Sequence, residues 1–415
     1  MVRHKIPLRL SVSARVYALG LLLLCATSAA EPVHRGESDS LRRVADRVFM
    51  RLHREAVVAD GHNDVLGSAL SGRDLTQRGR TGHSDLPRFI EGGLDVQVFS
   101  VWVTPARAQN NTAFPYAQRM IDSLRALARR GGGRFSITRS GAELREALAR
   151  GNVAGIVGLE GGHAAAGSLQ NVLRLYERGL RCFGLTWNNS NTWAASAQDE
   201  AKGLRRGLTA EGRRLIRLLD SAGVLIDVSH AGPVTVRDVL AATRNPIIAS
   251  HSACAALRPH ARNLTDEQIR AIAKAGGLVM INFFPVFLRS GLPADVARRC
   301  ASMEDRLRKI HTRARAGDAE SLTRFDALLQ EARRAGLPTL LDVADHIDHT
   351  VSIAGAEHVG LGSDFDGIDY APVGLGDVTA LPFLTRELLA RGYSDRDIRN
   401  ILGGNFVRVF SAVCK

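Results

Sequence analysis

Residues 223–253 read GVLIDVSHAGPVTVRDVLAATRNPIIASHSA. Two short apolar runs rich in β-branched residues, GVLIDVSH (223–230) and PIIASHSA (246–253), flank a segment over 233–242 with helical spacing of its apolar positions. Strand, helix and strand in that order imply parallel pairing through a right-handed crossover. The same unit recurs outward in both directions. Upstream lie VVADGHNDV (57–65), LDVQVFSVWVT (94–104), VAGIVGLEGG (153–162) and RCFGLTW (181–187); downstream lie GLVMINFF (277–284) and HVGLGSDFDG (358–367). Helical patterns over 113–130, 141–149, 168–179, 208–221, 265–275 and 340–355 fall between these runs, and one over 380–391 follows the last. Within them, TDEQI (265–269) offers an N-cap followed by early acidic residues. Eight strands alternating with helices predict an α/β fold, a closed (β/α)8 barrel of TIM type. The alternative is an open doubly wound sheet, but no GxGxxG follows the first run and no P-loop is present.

The chain has 415 residues, 45% hydrophobic and 23% charged, a balance that excludes intrinsic disorder and leaves room for a large core. Only Val16–Ala30 is apolar enough to interest a bilayer. It follows Arg3, Lys5, Arg9 and Arg15 and ends in small residues before Glu31. That pattern predicts a secretory signal peptide over residues 1–30 and an exported chain, periplasmic or secreted, with no stable membrane span once the signal is removed. Residues 31–415 are then expected to form one barrel domain. A segment over 31–56 is polar, then helical, with apolar positions at Leu41, Val44, Val48, Phe49 and Leu52. A polar loop is expected over 66–93 and a charged, helix-rich insertion around 285–340. The formal net charge is +13, four of it from the first thirty residues, and the remaining basic residues are scattered among acidic ones. No basic run interleaved with aromatics points to nucleic acid. Of five cysteines, Cys182, Cys254, Cys300 and Cys414 remain after the signal; without a CxxC pair they make no zinc ribbon, and pairing and free thiols stay open.

Chemistry is concentrated at the ends of the runs, where a barrel of this type places its active site. His62 and Asp64 close the first run, Glu160 the third, His230 the fifth, His251 the sixth and Asp364 the eighth; the fourth ends in Trp187. Three imidazoles and two or three carboxylates are ligands suited to zinc or a similar divalent ion. Five ligands exceed one tetrahedral catalytic site, so two ions sharing a carboxylate are expected, about 3.5 Å apart and able to activate a bridging hydroxide. His163, Asp60, Asp227 and Asp366 lie nearby but are less well placed, and His346, His349 and His358 are read as structural.

DGHND, GLEGGH, IDVSH, ASHS, RPHARNLTDEQI and GLGSDFDG, in this order over residues 57–367, together resemble the membrane (renal) dipeptidase family of zinc metallopeptidases, as does the later GGNFVRVF. The resemblance implies a binuclear zinc barrel that hydrolyses dipeptides, including those with a C-terminal D-residue. It implies that His62 and Asp64 bind one zinc, that Glu160 bridges, and that His230 and His251 bind the other. Arg262 would grip the substrate carboxylate, and Asp364 would move a proton between water and leaving amine. A homodimer is a further implication. One departure stands out: Trp187, in LTWNNSN, occupies the position where many family members have a histidine that holds the substrate carbonyl. Indole offers one donor and no charge, so Trp187 is expected to bear on substrate choice. Asn188, Asn189 or Asn191 could take over part of the lost role. The chain ends in FSAVCK, with no hydrophobic tail for a glycolipid anchor.

Two other readings stand beside this one. A different binuclear amidohydrolase, acting on lactams, lactones or phosphotriesters, often uses a carboxylated lysine on the fourth strand, where this chain has none. A non-catalytic binding protein on the same scaffold is favoured by Trp187 alone.

Overall fold

The computed structural model describes residues 35–415; the segment expected to be a signal peptide, 1–30, lies outside the described residues. Nine strands form: β1 (Ala59–Asn63), β2 (Val96–Trp102), β3 (Phe135–Ile137), β4 (Val153–Glu160), β5 (Leu180–Gly184), β6 (Leu225–Asp227), β7 (Ile248–Ser252), β8 (Leu278–Asn282) and β9 (Val359–Gly362). Eight of them pair in parallel in the order β2-β1-β9-β8-β7-β6-β5-β4, and β2 pairs with β4 to close the barrel. The ninth, β3, was not expected. It is three residues long and pairs only with the start of β4, through Phe135↔Val153 to Ile137↔Gly155. A stretch that short shows no alternation to read.

The helices follow from caps and periodicity. Ser140, Ser168, Thr209 and Thr265 each accept a backbone N–H three residues on, and Thr265 with Gln268 completes a capping box. The expected polar loop over 66–93 instead carries short helices, Val65–Leu70 and Leu86–Gly92. Residues 285–340 contribute helices Pro285–Leu288, Val296–Arg315 and Ala319–Arg334. In the N-terminal helix, Arg35–Glu55, Ala45, Phe49 and Leu52 are buried, while Leu41 and Val44 stand exposed.

The core has two parts. Inside the barrel, Ala59, Val96, Val98, Ile156, Leu225, Ile248 and Met280 pack with Phe406, Val409, Phe410 and Val413 of the C-terminal helix. Outside, a larger layer joins strands to the surrounding helices. Packing across the barrel is tight enough to exclude a methyl group: a Cβ added at Gly362 would overlap the Ser250 carbonyl oxygen. Cys182, Cys254, Cys300 and Cys414 are buried free thiols. No helix among the described residues is long and apolar enough to cross a membrane.

Candidate metal centre

Register shifts interrupt β1 between Asp60 and Asn63 and β7 between Ala249 and Ser252. Bulges at a barrel rim re-aim side chains, and these two carry His62 and His251. Beyond the strands, His230 and Asp364 take positive φ angles of 65° and 62°. Such backbone is costly outside glycine and clusters at functional sites.

These irregular tips converge. His62 Nε2 lies 3.3 Å from Asp64 Oδ2 and 3.4 Å from Glu160 Oε2. Glu160 Oε1 lies 3.0 Å from His230 Nε2 and 3.8 Å from His251 Nε2. The two oxygens of Glu160 thus face opposite halves of the cluster. Ligand atoms of His62, Glu160 and His251 lie within 4.8 Å of one another, as do those of His62, Asp64 and Asp364.

The donor set fits a divalent cation, and the argument is one of tautomers. His230 Nδ1 lies 2.9 Å from Asn188 Oδ1, an acceptor, so Nδ1 carries the proton and Nε2 a lone pair. The Ser250 hydroxyl donates to Asp227 at 2.6 Å, so its free lone pair accepts from His251 Nδ1 at 2.8 Å, and His251 Nε2 is also bare. These two bare nitrogens face each other at 2.9 Å. Two lone pairs at that distance repel unless a cation is placed to accept both. Orientation of a ligand imidazole through its other nitrogen is the usual support of a metal site. His62 Nε2 is likewise buried without a well-aligned hydrogen-bond partner.

Burial would lower His62, but Glu160 and Asp64 hold it well above the ordinary imidazole range, a positive charge that a bound cation would replace. Burial alone would raise Glu160, but His62 and His230 hold it well below the usual carboxylate range. Burial pushes His230 down to about 3, with Arg262 adding to the effect, so it stays neutral and able to ligate. Burial also raises Asp364 to about 7; Asp64 and Glu160 add to this against the pull of His62. Asn282 Nδ2 donates to Asp364 Oδ2 at 3.0 Å.

Above the cluster opens a cavity of about 550 Å³ whose walls include Asp64, Glu160, Trp187, His230, Arg262 and Asp364. Arg262, in the loop after β7, donates from Nη2 to the His251 carbonyl at 3.1 Å, while its Nε is buried without an acceptor among the described residues. Burial lowers its pKa only to about 10, so it remains a cation. Trp187 stacks edge-on against Trp102, centroids 5.3 Å apart, and lies 6.3 Å from the His230 ring.

The structure therefore brings together His62, Asp64, Glu160, His230, His251 and Asp364, and sets Arg262 and Trp187 in the wall above them. The less favoured neighbours serve as anchors. Asp60 accepts from the Ser363 N–H and hydroxyl at 2.7 and 2.6 Å, tying β9 to β1. Asp227 accepts from the Ser229 and Ser250 amides, both at 2.9 Å. Asp366 receives the His83 amide at 3.0 Å, and His163 donates to the Val103 carbonyl at 2.7 Å. His346, His349 and His358 bond Leu288, Asp266 and Gly277 away from the cavity. Sequence reasoning missed Ser100 and Asn282, the partners of Glu160 and Asp364, and named Asn188 for a substrate contact rather than as the partner of His230. Asn282 could have been noticed as the one polar residue within LVMINFF; Ser100 sits mid-run and carries no such signal.

Comparison with known proteins adds an independent line. Residues 47–415 match the model of a family described as membrane dipeptidase, peptidase family M19. The chain is 31% identical over 383 residues to dipeptidase verJ of Clonostachys rogersoniana, covering 88% of this chain and 86% of that protein. Among solved structures, a metallo peptidase from Rhodobacter sphaeroides, liganded with a phosphinate mimic of L-Ala-D-Ala, superimposes with a TM-score of 0.70 at 28% identity, over 86% of this chain and 99% of that one. The probable dipeptidase PvdM from Pseudomonas aeruginosa gives 0.73 at 26% identity, over 89% and 98%.

Proposed function

This chain belongs to the membrane dipeptidase family and is a dipeptidase, a hydrolase of peptide bonds; from that premise we propose a binuclear zinc enzyme that cleaves dipeptides, those with a C-terminal D-residue included. The observation that carries the two-ion reading is the placement of Glu160, one oxygen toward His230 and the other toward His62. His62 and Asp64 would hold one ion, His230 and His251 the other, and Glu160 both. When bound, the pair supplies a water of lowered pKa and polarisation of the scissile carbonyl.

The remaining work falls to this chain's own groups. Arg262 presents a planar fork to the substrate's terminal carboxylate, and its unpaired Nε supplies a donor for that contact. Asp364, held by Asn282, is placed both to take a proton from the attacking water and to give it to the leaving amine. Trp187 forms part of the wall beside the reacting bond, and its indole cannot stand in for an imidazole in every role. The D-residue is supported by the L-Ala-D-Ala mimic bound to the Rhodobacter sphaeroides relative. An exported location is supported by the basic, apolar and small-residue pattern of residues 1–30.

The test is hydrolysis of L-Ala-L-Ala and L-Ala-D-Ala by zinc-loaded and chelated enzyme. Loss of activity on chelation, restored by zinc, is expected. Asp364→Asn should retain both ions while kcat falls roughly 10²- to 10⁴-fold. Undiminished turnover in the chelated protein would refute the metal mechanism, and refusal of L-Ala-D-Ala would refute the D-residue reading alone.

A further inference from the structure

We propose that Trp102 and Trp187 form a selective subsite for a bulky apolar side chain on the N-terminal residue of the substrate, so that Phe-Ala is preferred to Ala-Ala. The proposal rests on the dipeptidase reading and on Arg262 as the carboxylate anchor.

Arg262 follows β7, and β2 lies four strands from β7 in either direction around the barrel. Trp102, the last residue of β2, therefore stands across the mouth from the cationic anchor. The metal-site residues lie between the two. A dipeptide is at most about 7 Å long when extended. Anchored by its carboxylate at Arg262, with its peptide bond over the cluster, it directs its N-terminal residue toward the β2 side.

That side is apolar. Trp102 and Trp187 meet edge to face at 5.3 Å. Tyr116 and Met120, from helix Ala113–Arg130 behind β2, extend the same wall of the cavity. The Arg107 guanidinium lies 4.0 Å above the Tyr116 ring and restrains it. An alanine methyl leaves most of this surface wet, whereas a benzyl or isobutyl group covers it. Trp187 extends the wall with an indole, a broad apolar face that carries one N–H donor.

The experiment measures kcat and KM of the zinc-loaded enzyme on Ala-Ala, Phe-Ala and Ala-Phe, for the unmodified chain, Trp102→Ala and Trp187→Ala. The unmodified enzyme should favour Phe-Ala over Ala-Ala by roughly tenfold to a hundredfold in kcat/KM. Each substitution should cut that ratio by about fivefold or more, chiefly through KM, while the ratio of Ala-Phe to Ala-Ala changes by less than about twofold. Trp102→Leu, which keeps an apolar body and is the variant to use if the alanine change fails to fold, should retain part of the preference. Equal efficiency on Phe-Ala and Ala-Ala in the unmodified enzyme overturns the proposal. So does a parallel loss on all three substrates, which would mark the tryptophans as structural. No hydrolysis of any of the three would overturn the dipeptidase reading itself.

Discussion

At the scale of single residues, the site depends on which nitrogen of each imidazole carries its proton. Asn188 decides this for His230, at 2.9 Å, and the Asp227–Ser250 relay decides it for His251. His230 needs the help, since its backbone sits at φ 65° and no β-strand holds it. In Asn188→Ala the ring is free to turn and to choose the other tautomer. On the proposed two-ion site, affinity for one ion should weaken about tenfold to a hundredfold, with the other ion retained. Zinc titration against a competing chelator measures both steps; unchanged affinity at both would remove Asn188 from the account. The residue was visible beside Trp187 in LTWNNSN, but its contact was not. A short polar side chain after one strand is as often a turn former as a partner, and only the folded loop brings it to the tip of the neighbouring strand.

At the scale of elements, strand spacing sets the distances within the site. Gly362 ends β9, and a methyl group there would overlap the Ser250 carbonyl next to His251. Gly362→Ala must therefore push β9 from β7 and carry Asp364 with it. Overpacking of this kind costs about 1–3 kcal/mol, to be read by chemical denaturation, and kcat should fall more than that loss of folded fraction explains. Full activity in a folded Gly362→Ala protein would show that the tips tolerate displacement. Elements of this kind differ in how far sequence announces them. Helices over 113–130, 141–149 and 233–242 form over the residues their periodicity indicated. The three residues of β3 and the helices Val65–Leu70 and Leu86–Gly92 did not stand out, because each is too short for a period to register. The candidate ligand side chains stood out because polar groups at the ends of apolar runs are conspicuous. Their partners depend on which strands lie side by side, and a bulge that turns His62 or His251 leaves no mark in composition.

At the scale of the whole molecule, the N-terminal helix closes the fold against the C-terminal part of the chain and the 285–340 segment. Arg386 holds Asp46 and Asp326 at 2.6 Å each, and Phe49 stacks near Phe383 at 6.1 Å. His53 lies in this seam. Its Nε2 donates to the Gly92 carbonyl at 2.8 Å, and its Nδ1 accepts the Thr385 hydroxyl at 2.7 Å. Burial, with Arg315 adding, lowers His53 to about 4, and burial likewise lowers His311, which packs on Phe383, to about 4. Both rings are neutral in the folded chain and take a proton more readily once unfolded. At these two sites the unfolded state binds more protons between pH 6.5 and 4, and their contribution to stability falls as pH drops through that window. For His53 alone the loss approaches about 3 kcal/mol at the acid end. Through these two sites melting temperature should fall from pH 6.5 to 4; Glu304 and Asp95, which burial raises to about 7 and about 6, act in the opposite sense, so the effect is read as a difference against a variant. His53→Gln, which keeps one donor and one acceptor but cannot charge, should start lower at pH 7 and lose distinctly less on acidification. An equal acid slope in both proteins would place the sensitivity elsewhere. Because the seam lies apart from the metal cluster, the slope difference should persist whether or not zinc is bound, which separates acid unfolding of the scaffold from proton competition at the ligands.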